Sequence, residues 1–168
     1  ASYGLELFRA ARGMDTVYVP IGCGSGICGL IAAREALGLK VEIVGVVSTE
    51  AAAAKLSLES GKLVETETAR TFADGMAVRV PVAEAFDIYS KGAARIVAVN
   101  DQELVAAMGL LFRMTHNVAE GAGAAALAAA IQEKKRNIGR TIGVILSGGN
   151  VDANIFAKVL QGTVPSVT

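Results

Sequence analysis

Apolar residues along the chain fall into two periods, and their alternation sets the expected order of elements. Thr16-Val17-Tyr18-Val19, Lys40 to Val47, Arg95 to Val99 and Thr141 to Leu146 are short apolar runs rich in β-branched residues, and each predicts a strand. Between them the period changes to that of a helix. Leu5 to Arg12, Ile27 to Leu37, Ala51 to Ser60, a stretch from Asp101 to about His116, and Ala119 to Lys135 all read as helices. Gly38 and Gly61 stand where two of these helices should stop, and Asp101 stands where one should be capped. Lys62 to Pro81 has neither period and reads as irregular. Apolar strands joined by crossover helices imply an α/β fold: a mostly parallel sheet with helices on both faces, in three layers.

Composition narrows the function classes. The chain has 168 residues, enough for one domain with its own core, and 52% are hydrophobic while only 5% are aromatic. Sixteen basic residues balance sixteen acidic ones, which argues against a nucleic-acid partner. That balance leaves room for a small anion held by backbone amides. Two cysteines are too few for a disulfide scaffold, so a reducing cytoplasm is the expected compartment. No apolar run is long enough to suggest a membrane partner.

The candidate chemistry begins where the first strand ends, in Pro20-Ile21-Gly22-Cys23-Gly24-Ser25-Gly26-Ile27-Cys28-Gly29. Glycines let a backbone approach an anion closely and adopt positive φ, so that successive N–H groups converge on it. The helix that follows adds the positive end of its dipole. A phosphate is therefore the expected ligand, with a plain turn of small residues as the bland alternative. Gly24, Gly26 and Gly29 also fit G-x-G-x-x-G, with Glu50 near the offset at which a dinucleotide-binding domain keeps its ribose-binding acid. Cys23 and Cys28 have no second pair of cysteines or histidines with which to hold zinc, and the only histidine is His116. No metal is expected. Ser147-Gly148-Gly149-Asn150, directly after the last strand, belongs at the same end of the sheet as the glycine loop. Val118 to Ala126 opens a helix with tiny side chains and one acid, Glu120; close packing on the sheet would explain it equally well.

Four of these stretches together carry a resemblance. "VPIGCGSGICG", "ADGMAV" at Ala73 to Val78, "NVAEGAGAAALAA" at Asn117 to Ala129 and "LSGGNVD" at Leu146 to Asp152 are similar, in order and spacing, to the carboxyl-terminal part of the serine/threonine dehydratases. These are pyridoxal-phosphate enzymes related to the tryptophan synthase β subunit. The resemblance implies that Gly22, Cys23, Gly24, Ser25 and Gly26 cradle the phosphate of pyridoxal 5'-phosphate, and that Ser147, with Gly148, faces the pyridine nitrogen. Glu120, Asp74 and Gly75 would lie near the ring and the substrate. A serine beside that nitrogen is hardly ever ionised, so it cannot act as a carboxylate counter-ion would. The expected activity is elimination of the β-hydroxyl of serine, threonine or a related hydroxy amino acid, giving a 2-oxo acid and ammonia. Serine racemase and a dehydratase of hydroxyectoine breakdown share the same framework.

The departures shape the expectation as much as the match. The family's Schiff-base lysine sits in an S-x-K-x-R-type motif, and none of the lysines at 40, 55, 62, 91, 134, 135 and 158 has that context. The asparagine at the cofactor's phenolic oxygen and the loop for the substrate carboxylate are also missing. Residues 1–168 thus read as the carboxyl-terminal part of a catalytic domain, inactive alone, partnered by the missing amino-terminal half and by further copies as a homo-oligomer. Ser48, Ala52 and Ala54 occupy the positions where metal-binding members keep acids, which again predicts no metal. A dinucleotide-binding domain and a non-catalytic binding module remain open as alternatives.

Overall fold

The computed structural model describes residues 2–166. In chain order the elements are α1 (Ser2–Ala10), β1 (Thr16–Pro20), α2 (Ser25–Ala36), β2 (Glu42–Ser48), α3 (Ala53–Ser60), α4 (Ala83–Gly92), β3 (Arg95–Val99), α5 (Asp101–Thr115), α6 (Gly121–Gln132), β4 (Ile142–Val144) and α7 (Ala153–Leu160). Single 3-10 turns occupy Thr49–Ala51 and Asp74–Met76. The strands form one parallel sheet in the order β3-β2-β1-β4. Val17 pairs with Ile43, and Val46 with Val97.

The pleat divides the apolar residues of each strand between two cores. Val17, Val19, Ile43, Val47 and Ile96 pack with Phe8 of α1, Ile27, Leu30 and Ile31 of α2, and Tyr89 of α4. Their neighbours Tyr18, Val44, Val46, Val97 and Val99 turn the other way, onto α5 and α6. Helices thus cover both faces in three layers, as the sequence pattern predicts. Alanine and glycine are buried along almost the whole of α6, whose small side chains bring the helix axis close to the sheet. No helix among the described residues is long and apolar enough to cross a membrane.

Several boundaries differ from expectation, each for a local reason. The cap of α5 is Asn100, whose side chain accepts the Glu103 N–H at 2.9 Å while the Glu103 carboxylate accepts the Asn100 N–H at 2.8 Å. Asp101 instead accepts the hydroxyl of Thr71 at 2.6 Å. The helix after the glycine loop begins at Ser25 and ends as expected, with Gly38 at φ +62°. The last strand is shorter than its apolar run because β4 lies at the sheet edge, where Ile142 and Val144 are each 37% exposed. The expected order of elements assigns nothing to residues 83–92 and 153–160, yet α4 and α7 form there. In α7 Ile155, Phe156, Val159 and Leu160 form an apolar stripe, with Val159 buried and Phe156 packed against the core beneath α5 and α6.

Candidate functional site

The carboxyl ends of β1 and β4 open on one cleft of ≈ 820 Å³. Its floor is the turn from β1 into α2. Gly24 is the N-cap of that helix, at φ +96° and with no side-chain cap, a conformation that suits glycine. The N–H groups of Gly22, Cys23, Gly24, Ser25 and Gly26 donate no hydrogen bond to any described residue. Five successive amides at a helix N-terminus, all without protein acceptors, make a concentrated patch of positive partial charge. No lysine or arginine is among the residues lining the cleft, whereas Glu6 and Glu120 are.

The walls reach this floor through backbone contacts that only glycine allows. A Cβ at Gly22 would run into the carbonyl oxygen of Gly75, and a Cβ at Gly123 into that of Gly148. Gly75 in turn lies against Ala122, where a Cβ would come within 2.9 Å of the alanine methyl. The Glu120 N–H donates to the Gly148 carbonyl at 3.1 Å. Its carboxylate leans on Gly148, 2.6 Å from where a Cβ would stand. The third wall is α1. The Tyr3 hydroxyl donates to the Gly26 carbonyl at 2.9 Å, and burial pushes the Tyr3 pKa up, so it stays a donor at neutral pH.

Of the residues singled out from the sequence, Gly22, Cys23, Gly24, Ser25, Gly26, Gly75, Glu120 and Ser147 all line this cleft. Ser147 is exposed and its hydroxyl bonds to no described residue. Gly148 and Asp74 do not line it. Gly148 serves as the backbone support of Glu120, and Asp74 opens on an adjoining pocket of ≈ 260 Å³ with Glu120, Asn150 and Asp152. Tyr3, Glu6 and Leu7 are cleft residues that the sequence did not reveal, since an ordinary amphipathic turn carries no mark of the loop it will cover.

The residues of the other readings are dispersed. Gly29 is buried where Gly4 of α1 crosses α2, a Cβ at Gly4 standing 3.4 Å from the Gly29 carbonyl. Glu50 is exposed on the 3-10 turn after β2 and does not line the cleft. Its N–H is capped by Ser48 at 3.2 Å. Cys28 turns away from the cleft and donates to the Ala85 carbonyl at 3.5 Å, its thiol pKa raised by burial. His116 is the C-cap of α5, at φ +57°.

Residues 1–148 match the family model described as "Pyridoxal-phosphate dependent enzyme". The L-threonine ammonia-lyase of Thermotoga maritima is 32% identical over 158 residues, which is 94% of this chain and 39% of that protein. The processed form of threonine deaminase isoform 2 from Solanum lycopersicum superposes with a TM-score of 0.89 at 28% identity, covering 95% of this chain and 47% of that one. Maize serine racemase superposes with a TM-score of 0.86 at 26% identity, covering 95% of this chain and 50% of the other. The chain thus spans half or less of the length of these relatives. With the glycine-floored cleft at the carboxyl edge of a parallel sheet, and this match over nearly its whole length, the chain belongs to the pyridoxal-phosphate-dependent enzyme family.

Proposed function

We propose that the chain is the carboxyl-terminal part of a pyridoxal-phosphate-dependent dehydratase that removes ammonia from serine, threonine or a related hydroxy amino acid. The observation that carries this reading is the row of unpartnered amides from Gly22 to Gly26 at the N-terminus of α2, facing Glu120 and Ser147 across one cleft. The cleft's ≈ 820 Å³ is within the usual range for a cofactor site. Its acidic side chains and lack of cations leave the amides and the helix dipole to bind the phosphate, aided by the Ser25 hydroxyl.

When bound, the cofactor supplies an electron sink for the pair released when the substrate loses its Cα proton. The residues of this chain hold and tune it. Gly22, Cys23, Gly24, Ser25 and Gly26 fix the phosphate. Ser147, beside Gly148, would offer the ring nitrogen a neutral O–H in place of a carboxylate counter-ion, a partner that suits elimination more than transamination. Glu120, propped by Gly148 and Gly75, keeps a carboxylate at the junction of the two pockets, with Asp74 beyond it.

No lysine of this chain lines the cleft. The lysine that binds the cofactor and removes the Cα proton would come from an amino-terminal half, and the chain alone would be inactive. The test is to join the chain to a lysine-bearing half, in cis or in trans, and supply pyridoxal phosphate with L-threonine or L-serine. We expect absorbance near the violet and release of 2-oxo acid and ammonia. Absorbance without ammonia would end the dehydratase reading, and D-serine formed from L-serine would favour racemisation. Failure to bind the cofactor would end both.

A further inference from the structure

Tyr89 is the one buried side chain among the described residues whose polar atom has no partner. It is 1% exposed, and its hydroxyl touches neither donor nor acceptor in the protein. A buried hydroxyl left in that state costs roughly 1–3 kcal/mol, so a phenylalanine would serve the core better unless the oxygen has work to do. The ring itself is well seated, packing edge-on to Phe86 with centroids 5.6 Å apart. Burial, with a smaller contribution from the nearby Cys28, pushes the Tyr89 pKa up to about 12, so the oxygen keeps its proton at neutral pH and needs an acceptor.

A small cavity of ≈ 10 Å³ lies against Tyr89, directly behind the glycine loop. Gly22 and Cys23 form one side of it, and Val47, Met76 and Val82 belong to the others. Tyr89 is the one lining side chain that carries an oxygen. The volume is that of a single water, and a water persists in such a space when at least two polar groups can hold it. Gly22 and Cys23 share that lining with Tyr89, and their backbone would supply the second polar partner. Gly24 adds to the link, since a Cβ there would come within 2.6 Å of Ala85 and 3.9 Å of the Tyr89 ring.

We propose that one buried water bridges the Tyr89 hydroxyl to the backbone at Gly22–Cys23 and holds the loop in its amide-presenting shape. Tyr89 is then a positioning residue: it never touches the anion, and it acts on the side of the loop opposite the cleft. The effect on the anion rests on the phosphate reading of the loop, whereas the water does not.

The experiment compares the full-length enzyme containing this chain with its Tyr89→Phe variant. A high-resolution crystal structure reports the water, and titration of the apoenzyme with inorganic phosphate reports the loop. The expected result is a water within hydrogen-bond reach of the Tyr89 oxygen and of the loop backbone, with phosphate affinity about 5- to 10-fold weaker in Tyr89→Phe, the loss of one hydrogen-bonded support. A melting temperature raised in Tyr89→Phe with phosphate affinity unchanged would overturn the proposal, because the hydroxyl would then be only an unsatisfied group. Absence of a water at that position would overturn it equally. If the wild-type apoenzyme takes up no phosphate, the reading of the loop fails, and the crystal structure still decides the water. If Tyr89→Phe does not fold, the wild-type crystal structure decides alone.

Discussion

The two ends of the sheet are built from opposite materials. At the carboxyl end, backbone does the work: five amides without acceptors, a chain of glycine-to-carbonyl contacts, and no ion pair among the residues lining the cleft. At the amino end, side-chain charges answer one another. Arg95 grips Glu133, with Nε to Oε1 at 2.9 Å, and reaches Glu42 at 3.4 Å. Arg140 joins Glu42 at 3.2 Å, and the Tyr18 hydroxyl donates to Glu133 at 2.7 Å. The Asp15 carboxylate accepts the Thr141 N–H at 2.7 Å. One end leaves its hydrogen-bonding capacity open to a ligand, and the other uses its capacity to tie strands and helix together. On the proposed function, stability and ligand binding are thereby separated along the strand direction.

The largest expected effect tests the ligand end. Gly22→Ala drives a methyl into the Gly75 carbonyl, and because the obstacle is backbone, the two loops must part. A displacement of that kind costs about 100-fold in activity of the full-length enzyme. Cofactor retention, read by visible absorbance, should fall with it, and the thermal midpoint should drop as well, because two packed loops are forced apart. An active Gly22→Ala enzyme would break the contrast between the two ends.

The second prediction inverts the first. Glu133→Gln removes the partner of Arg95 where both side chains are only 18% exposed, so it should cost about 2 kcal/mol of stability, measured by denaturant unfolding. Activity per folded molecule should stay at the wild-type level. A loss of kcat as large as that of Gly22→Ala would show the two ends to be coupled.

A smaller effect is expected from Ser147→Ala. Loss of one neutral hydrogen bond should lower kcat about 3- to 10-fold with an unchanged melting temperature.

The smallest is a pH dependence. The hydrogen bond from Arg95, helped by that from Tyr18, holds the Glu133 carboxyl below its ordinary value of 4.5 against the opposing effect of burial. Its pKa is lower folded than unfolded, so the stabilisation is complete above about 4.5 and is lost as pH falls through the folded value. Glu133→Gln should remove that part of the acid slope, and an unchanged slope would assign it to other carboxylates.

The same contrast explains what could be read from the sequence. The position of the carboxyl-end cleft was legible because its signals are local: a strand, a run of glycines and a helix start lie within a dozen residues, and Ser147 follows another strand directly. The amino-end network was not, because its partners are remote. Tyr18 meets Glu133 across 115 positions and Arg95 meets it across 38, and no pattern in either segment marks the other. The contribution of α1 to the cleft was hidden for a related reason: Tyr3 of α1 meets Gly26 across 23 positions. By contrast, α4 and α7 carry readable apolar stripes, at Ala85, Phe86 and Tyr89 and at Ile155, Phe156, Val159 and Leu160, which the expected order of elements passes over. The alanine-rich α6 carried two readings at once, and the structure keeps both: nearly all of it is sheet packing, while Ala122 also lines the cleft.

The sheet edge has a practical side. Along β4 and just beyond it, Ile142, Val144 and Leu146 are 37%, 37% and 40% exposed, and no described strand pairs with the outer side of β4. An apolar edge with free backbone groups templates another strand. Handled by itself, the polypeptide should grow turbid as its concentration rises, through its own edge rather than through unfolding. A lysine in place of Ile142 should keep the solution clear without touching the glycine loop.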